Sequence, residues 1–262
     1  MKLLAFISVS LISTNLLFSQ NIEDKKTQAG LTGTFGLNSL RMGTSKMNTN
    51  GIGSDLGIGI VSHTAFKNSQ NLGIASGLEF EFGTFKFEPA SDTYYSYDPK
   101  FILSNENSKD AKGVFHLKER TQKPVYVTLP LMFLFRTDFI GDFRYFGKFG
   151  IRNSFLVSNK MNDTGSDITA PTQSTELLNM KSSGETFFYN GSVGMTLGAE
   201  WNFVGSTSLV AEAGYFYGIT PLFLDRKDSN KTLFTLDNLA TPTYFSNNAN
   251  LNQILFKISI LF

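Results

Sequence analysis

The side chains able to do chemistry are few. The chain has 262 residues, two histidines (His63 and His116) and no cysteine. Small barrels that act on lipids need a base such as His to activate a Ser near one membrane face, with a third group orienting that base. Serines lie at some distance from each histidine, but no triad spacing with a carboxylate is visible. The stretch Asn162–Asp167 (NDTGSD) offers oxygen ligands and a glycine. Its spacing is not that of a calcium loop, so it reads as a plain turn. No catalytic, cofactor-binding or metal-binding residue is assigned. Net charge is +1, with 23 basic and 22 acidic side chains, which gives no basic footprint for nucleic acid.

A second set of polar residues is more telling. Glu79, Glu81, Glu200 and Glu212, opposed by Arg136, Arg144, Lys148, Arg152 and Lys257, all interrupt apolar runs at every other position, as in Leu78-Glu79-Phe80-Glu81-Phe82. Buried without partners, each charge would cost several kcal/mol, so pairing is close to obligatory. The expectation is a structural network of ion pairs, with a proton or ion path as the alternative. Glu200 and Glu212 are expected to sit near each other across one hairpin.

The elements that would hold these charges are alternating strands. The stretch 250–262 (NLNQILFKISILF) sets Ile254, Phe256, Ile258, Ile260 and Phe262 against Gln253, Lys257 and Ser259. Strict alternation over about ten residues, apolar on one side and polar on the other, suits a membrane-spanning β-strand. Seven earlier segments behave alike: 30–40, 54–66, 71–87, 123–136 with a start as early as Val114, 144–158, 186–203 and 207–220. The connections alternate long and short. Residues 41–53, 88–113, 159–185 and 221–249 are long and polar; residues 67–70, 137–143 and Val204-Gly205-Ser206 are tight turns. Outer-membrane barrels have an even strand number, short periplasmic turns and long outer loops. A soluble sandwich shares the wealth of Phe and Gly (26 and 23 residues) but gives no reason for that regularity. The expected fold is all-β, an eight-stranded antiparallel up-and-down transmembrane β-barrel. Such a barrel has a lumen only just filled by side chains. Pro130 conflicts with a mid-strand position, and a bulge or kink is expected there.

Residues 1–19 read as a signal peptide, with Met1-Lys2, an apolar core and Ser19 before the cut. Residues 20–29 read as a short disordered periplasmic lead-in, and 30–262 as the barrel. The absence of cysteine excludes a lipoprotein anchor and disulfides. Tyr94, Tyr95, Tyr97, Phe223, Phe234, Tyr244 and Phe245 enrich the long loops. Two readings stand: adhesive loops that bind a partner, or rings packed on each other as a lid.

Residues 126–134 (YVTLPLMFL) are similar to the Y-L-E-I-P-L-L-L-K strand of PorT-like outer-membrane β-barrels of Bacteroidota, small barrels of the OmpA/OmpX type. Phe149-Gly150-Ile151, residues 194–201, Glu212-Ala213-Gly214-Tyr215 and residues 258–262 follow in that family's order. Thr128 stands where the family carries Glu, and the front half matches by pattern alone. The resemblance implies a non-enzymatic integral outer-membrane barrel, an accessory or structural subunit of an envelope or type IX-like secretion complex. A lipid-modifying or ligand-transporting barrel is the alternative. Phe256, Ile258, Ile260 and Phe262 then look like the C-terminal signal read by the outer-membrane assembly machinery. The implied partners are outer-membrane lipid, that machinery, and proteins met through outer loops or periplasmic turns.

Overall fold

A computed structural model describes residues 26–97, 103–104, 113–181, 185–224, 231–237 and 241–262. The proposed signal peptide and most of the lead-in lie outside them. The first strands are β1 (Thr27–Met42), β2 (Met47–Thr49), β3 (Gly53–Phe66), β4 (Ser69–Gly83), β5 (Phe85–Pro89), β6 (Thr93–Tyr97), β7 (Leu103–Ser104) and β8 (Gly113–Arg136). They are followed by β9 (Phe143–Asp167), β10 (Thr175–Lys181), β11 (Tyr189–Val204), β12 (Thr207–Gly218), β13 (Leu233–Asp237), β14 (Thr241–Phe245) and β15 (Ala249–Leu261). Eight of these close into a ring, β1-β3-β4-β8-β9-β11-β12-β15, and β15 pairs back on β1 from Leu261 with Gly30 to Ala249 with Met42. The expected eight-stranded antiparallel barrel is the observed one.

The register fixes its dimensions. From Tyr145 the paired positions run through Ala199, Ala211, Ile258, Gly33, Ile58, Phe80 and Val127. They return to β9 at Phe155, ten residues above the start. That stagger in eight strands tilts them by about 40° and sets a backbone radius of about 8 Å. The lumen is therefore filled by side chains. Outside, Leu31, Ile58, Phe80, Leu131, Phe149, Leu197 and Ile258 stand exposed on every side. On β8 the outward apolar positions run from Val125 to Phe135. At that tilt they cover about 25 Å, the height of a barrel's lipid-facing band.

Several boundaries differ from expectation, and two bulges explain the largest difference. β8 and β9 have 24 and 25 residues, about twice what the bilayer needs. Their pairing shifts register between Val125 and Tyr126 and again between Leu117 and Glu119. In β9 the first shift leaves Val157 unmatched. Below it odd residues face out; above it Ser158, Lys160, Asn162 and Thr164 do, while Met161 and Asp163 turn in. The alternation of 144–158 breaks at this point, so the continuation looked like a loop. Asn162–Asp167, expected as a turn, is the end of this strand. The long polar segments also hold β2, β6, β7, β10, β13 and β14. Segment 71–87 is split at Thr84, and the strand expected from Thr186 begins at Tyr189.

Pro130 makes no bulge. Ser76 with Leu131 and Glu79 with Thr128 keep one register, and only the two pairs between them are absent. On the other side Pro130 stays paired with Arg152. The missing N–H therefore opens the β4–β8 ladder without inserting a residue. The lead-in is also shorter than expected. β1 starts at Thr27, and Gln28 is buried in the lumen.

Candidate functional site

The lumen carries every charge the sequence pointed to. Arg152 bridges two carboxylates of β4, donating from Nη1 to Glu79 at 3.1 Å and from Nη2 to Glu81. Lys257 on β15 makes a second ion pair to Glu79. One level lower Lys148 meets Glu212 at 2.9 Å, and Thr196 donates to the same carboxylate at 2.9 Å. Near the turn end Arg144 grips Glu200 from Nε at 2.7 Å and Nη2 at 3.0 Å. Gln28 Oε1 accepts a further bond from Arg144 Nη2 at 3.0 Å. Glu200 and Glu212 are diagonal neighbours on the lumen face of their hairpin, Glu200 opposite Val210 and Glu212 opposite Gly198, and each takes its own cation. Arg136 donates from Nη2 to the Gln70 carbonyl at 2.8 Å.

The crowding has a backbone requirement. A Cβ on Gly59, beside Glu79, would lie 2.3 Å from the Leu78 carbonyl oxygen, so this position must be glycine. Thr128 donates to Glu81 at 2.6 Å and is hydrogen-bonded to Ser154 at 2.7 Å. At this level the carboxylate is thus supplied by β4. The cavity lined by Glu79, Pro130, Lys148 and Lys257 measures about 20 Å3, room for roughly one water molecule. Ion pairs arranged this way tie β4, β9, β11, β12 and β15 together across the lumen.

Above the charges the interior becomes apolar. Met47, Phe85, Phe87, Phe115, Met161 and Phe223 are buried in one cluster, with Tyr95 and Leu222. Phe223 meets Phe87 edge-on at 5.8 Å, and Leu222 is fixed by donating its N–H to the Ala249 carbonyl at 2.7 Å. The strands beyond the bilayer therefore form a lobe with its own core. Inside it Arg120 clamps Asp163 with bonds of 2.8 and 2.7 Å and reaches Glu185 at 3.3 Å. Arg120 also lies 5.1 Å over the Tyr95 ring. Burial alone would lower the Arg120 pKa, but Asp163 and then Glu185 reverse that and push it up.

The aromatic loop residues pack on one another. Tyr95, Tyr97 and Phe115 interlock within the lobe, while His116, Tyr94, Phe234 and Tyr244 stack in a ladder across its outer face. His116 Nε2 is 3.1 Å from Asp92, and His63 is buried in the lumen 6.1 Å from the Phe146 ring centroid. Among the described residues neither histidine bonds a serine hydroxyl. Phe256, Ile258, Ile260 and Phe262 all face outward on or just past β15. Sequence reasoning missed Gln28, Arg120 and Asp163. The last two fall in stretches without alternation, and only direct cross-strand pairing at Arg120 and Asp163 reveals them.

A closed eight-strand ring with an apolar exterior, a charged lumen and short turns at one end is an integral outer-membrane barrel. The chain belongs to the outer membrane protein β-barrel domain family, whose model matches residues 18–224. No curated protein matches it in sequence. Among solved structures it is similar to Neisserial surface protein A, at 8% identity and a TM-score of 0.35, covering 90% of this chain and 96% of that one. The attachment invasion locus protein Ail of Yersinia pestis matches at 12% identity and 0.32, covering 91% and 100%. The outer membrane protease OmpT of Escherichia coli matches at 10% and 0.31, covering 93% and 97%. Likenesses of this size define neither an activity nor a partner.

Proposed function

We propose that the protein is a non-enzymatic, non-conducting barrel that serves as an accessory or structural subunit of an envelope complex and makes its contacts through the outer lobe. One observation carries this reading. The lumen is plugged by paired charges, while nearly half of β8 and β9 builds a packed lobe outside the bilayer. Transport through the barrel would need a ligand-sized opening in the lumen, and a packed lobe suits contact with another protein. The PorT-like resemblance of residues 126–134 extends the proposal to secretion or envelope assembly.

Co-purification from native membranes is the test. The expected result is a stable partner that is lost when the lobe surface is altered and the barrel left intact. A barrel recovered alone and monomeric would count against the subunit role. In planar bilayers no steady conductance is expected, and an open-channel current would overturn the non-conducting part.

A further inference from the structure

Three lysines stand in a row across the lobe wall. Lys123 on β8 is paired directly with Lys160 on β9, and Lys160 with Lys181 on β10. Each points outward, since its neighbours Gln122, Met161 and Met180 are buried on the inner side. Directly opposed residues in antiparallel strands have Cβ atoms about 5 Å apart, and like charges there destabilise the sheet. This chain makes that arrangement twice in succession. No ion pair joins any of the three to a carboxylate among the described residues. Lys86 nearby is answered by Glu119 at 3.5 Å, so the same wall neutralises a cation elsewhere.

The level of the row gives the repulsion a purpose. Lys123 is the first outward residue above Val125, where the apolar band of β8 begins. On β9 the outward residues just below Lys160 include Phe155 and Val157, and Tyr189 packs on Phe155 at 5.5 Å between centroids. The ammonium groups thus lie at the polar edge of the outer leaflet, directly above rings and methyls that face acyl chains. Nine N–H donors in one line match the acceptor oxygens of a phosphate, whose charge also cancels the repulsion.

We infer that the Lys123–Lys160–Lys181 row binds the phosphorylated headgroup of an outer-leaflet glycolipid, with the lipid chains on the apolar band below. The full-length barrel, purified in zwitterionic micelles, tests this by thermal unfolding and by direct binding. The probes are a bis-phosphorylated glycolipid, its dephosphorylated form and inorganic phosphate. For the wild type the phosphorylated lipid is expected to raise the unfolding temperature, and the dephosphorylated form to do so much less. The variant K123Q/K160Q/K181Q should unfold at a higher temperature than wild type without lipid, because repulsion is relieved. It should bind the phosphorylated lipid at least tenfold more weakly, while K123R/K160R/K181R retains binding. The site is overturned if the Gln variant binds as tightly as wild type, or if removing the phosphates changes nothing. If inorganic phosphate reproduces the whole shift, the headgroup assignment fails.

Discussion

At the scale of single residues, burial makes partners compulsory, and the lobe gives the cleanest test. Arg120 and Asp163 are fully buried and bound to each other. Arg120→Met would strand the Asp163 carboxylate and should destabilise the lobe by about 3–5 kcal/mol. The double variant R120M/D163L removes the Asp163 charge as well and should recover part of that loss, Glu185 alone being left without its cation. Chemical unfolding followed by a lobe-specific fluorophore measures both. Equal losses in the single and double variants would show that packing, not charge pairing, matters here.

A second residue responds to pH. Asp167 accepts bonds from the Thr169 hydroxyl at 2.6 Å and the Thr169 N–H at 2.8 Å, and from the Tyr97 hydroxyl at 2.8 Å. These bonds, the Thr169 hydroxyl first, hold its pKa below the ordinary carboxylate value. The folded form thus binds the proton less readily than the unfolded form. Its stabilisation is complete above the unfolded value of about 4 and is lost as pH falls through the folded one. The protection factor of the Thr169 amide, its exchange relative to the unfolded chain at the same pH, should therefore fall under acid in the wild type. Asp167→Asn should remove that pH dependence.

At the scale of elements, the bulge at Val157 decides which face each later residue of β9 takes. Deleting Val157 would turn Lys160 and Asn162 inward and Met161 outward. The lobe should then be cut readily by protease while the barrel below keeps its heat resistance on gels. Retention of a protease-resistant lobe would show that the strand can re-form its bulge elsewhere. Pro130 offers a milder test. Pro130→Ala restores an N–H on the side where the β4–β8 ladder lacks two pairs. It should be neutral or stabilise by up to about 1 kcal/mol, read from the unfolding midpoint.

At the scale of the whole molecule, polarity reverses along the axis. Within the bilayer the wall is apolar outside and charged inside; above it the wall is polar outside and apolar inside. One continuous sheet serves both solvents. Amides of Phe115 and Leu117 should therefore exchange slowly without any partner bound, as core amides do. Fast exchange there would mean that the lobe orders only in a complex.

The amino-acid sequence alone determined the eight spanning strands, their faces and the charged lumen. A period of two survives wherever register is unbroken, as from Ile254 to Ile260. It also singled out Glu79, Arg144, Arg152, Glu200 and Lys257, because a charge on the inward phase stands out against apolar neighbours. Only the tertiary structure decided which cation each carboxylate takes, since Arg152 meets Glu79 and Glu81 from strands some seventy residues away. It alone turned the long polar segments into a lobe. The Val157 bulge shifts the phase by one, and the short strands of the lobe find their partners far along the chain. No local period records either event.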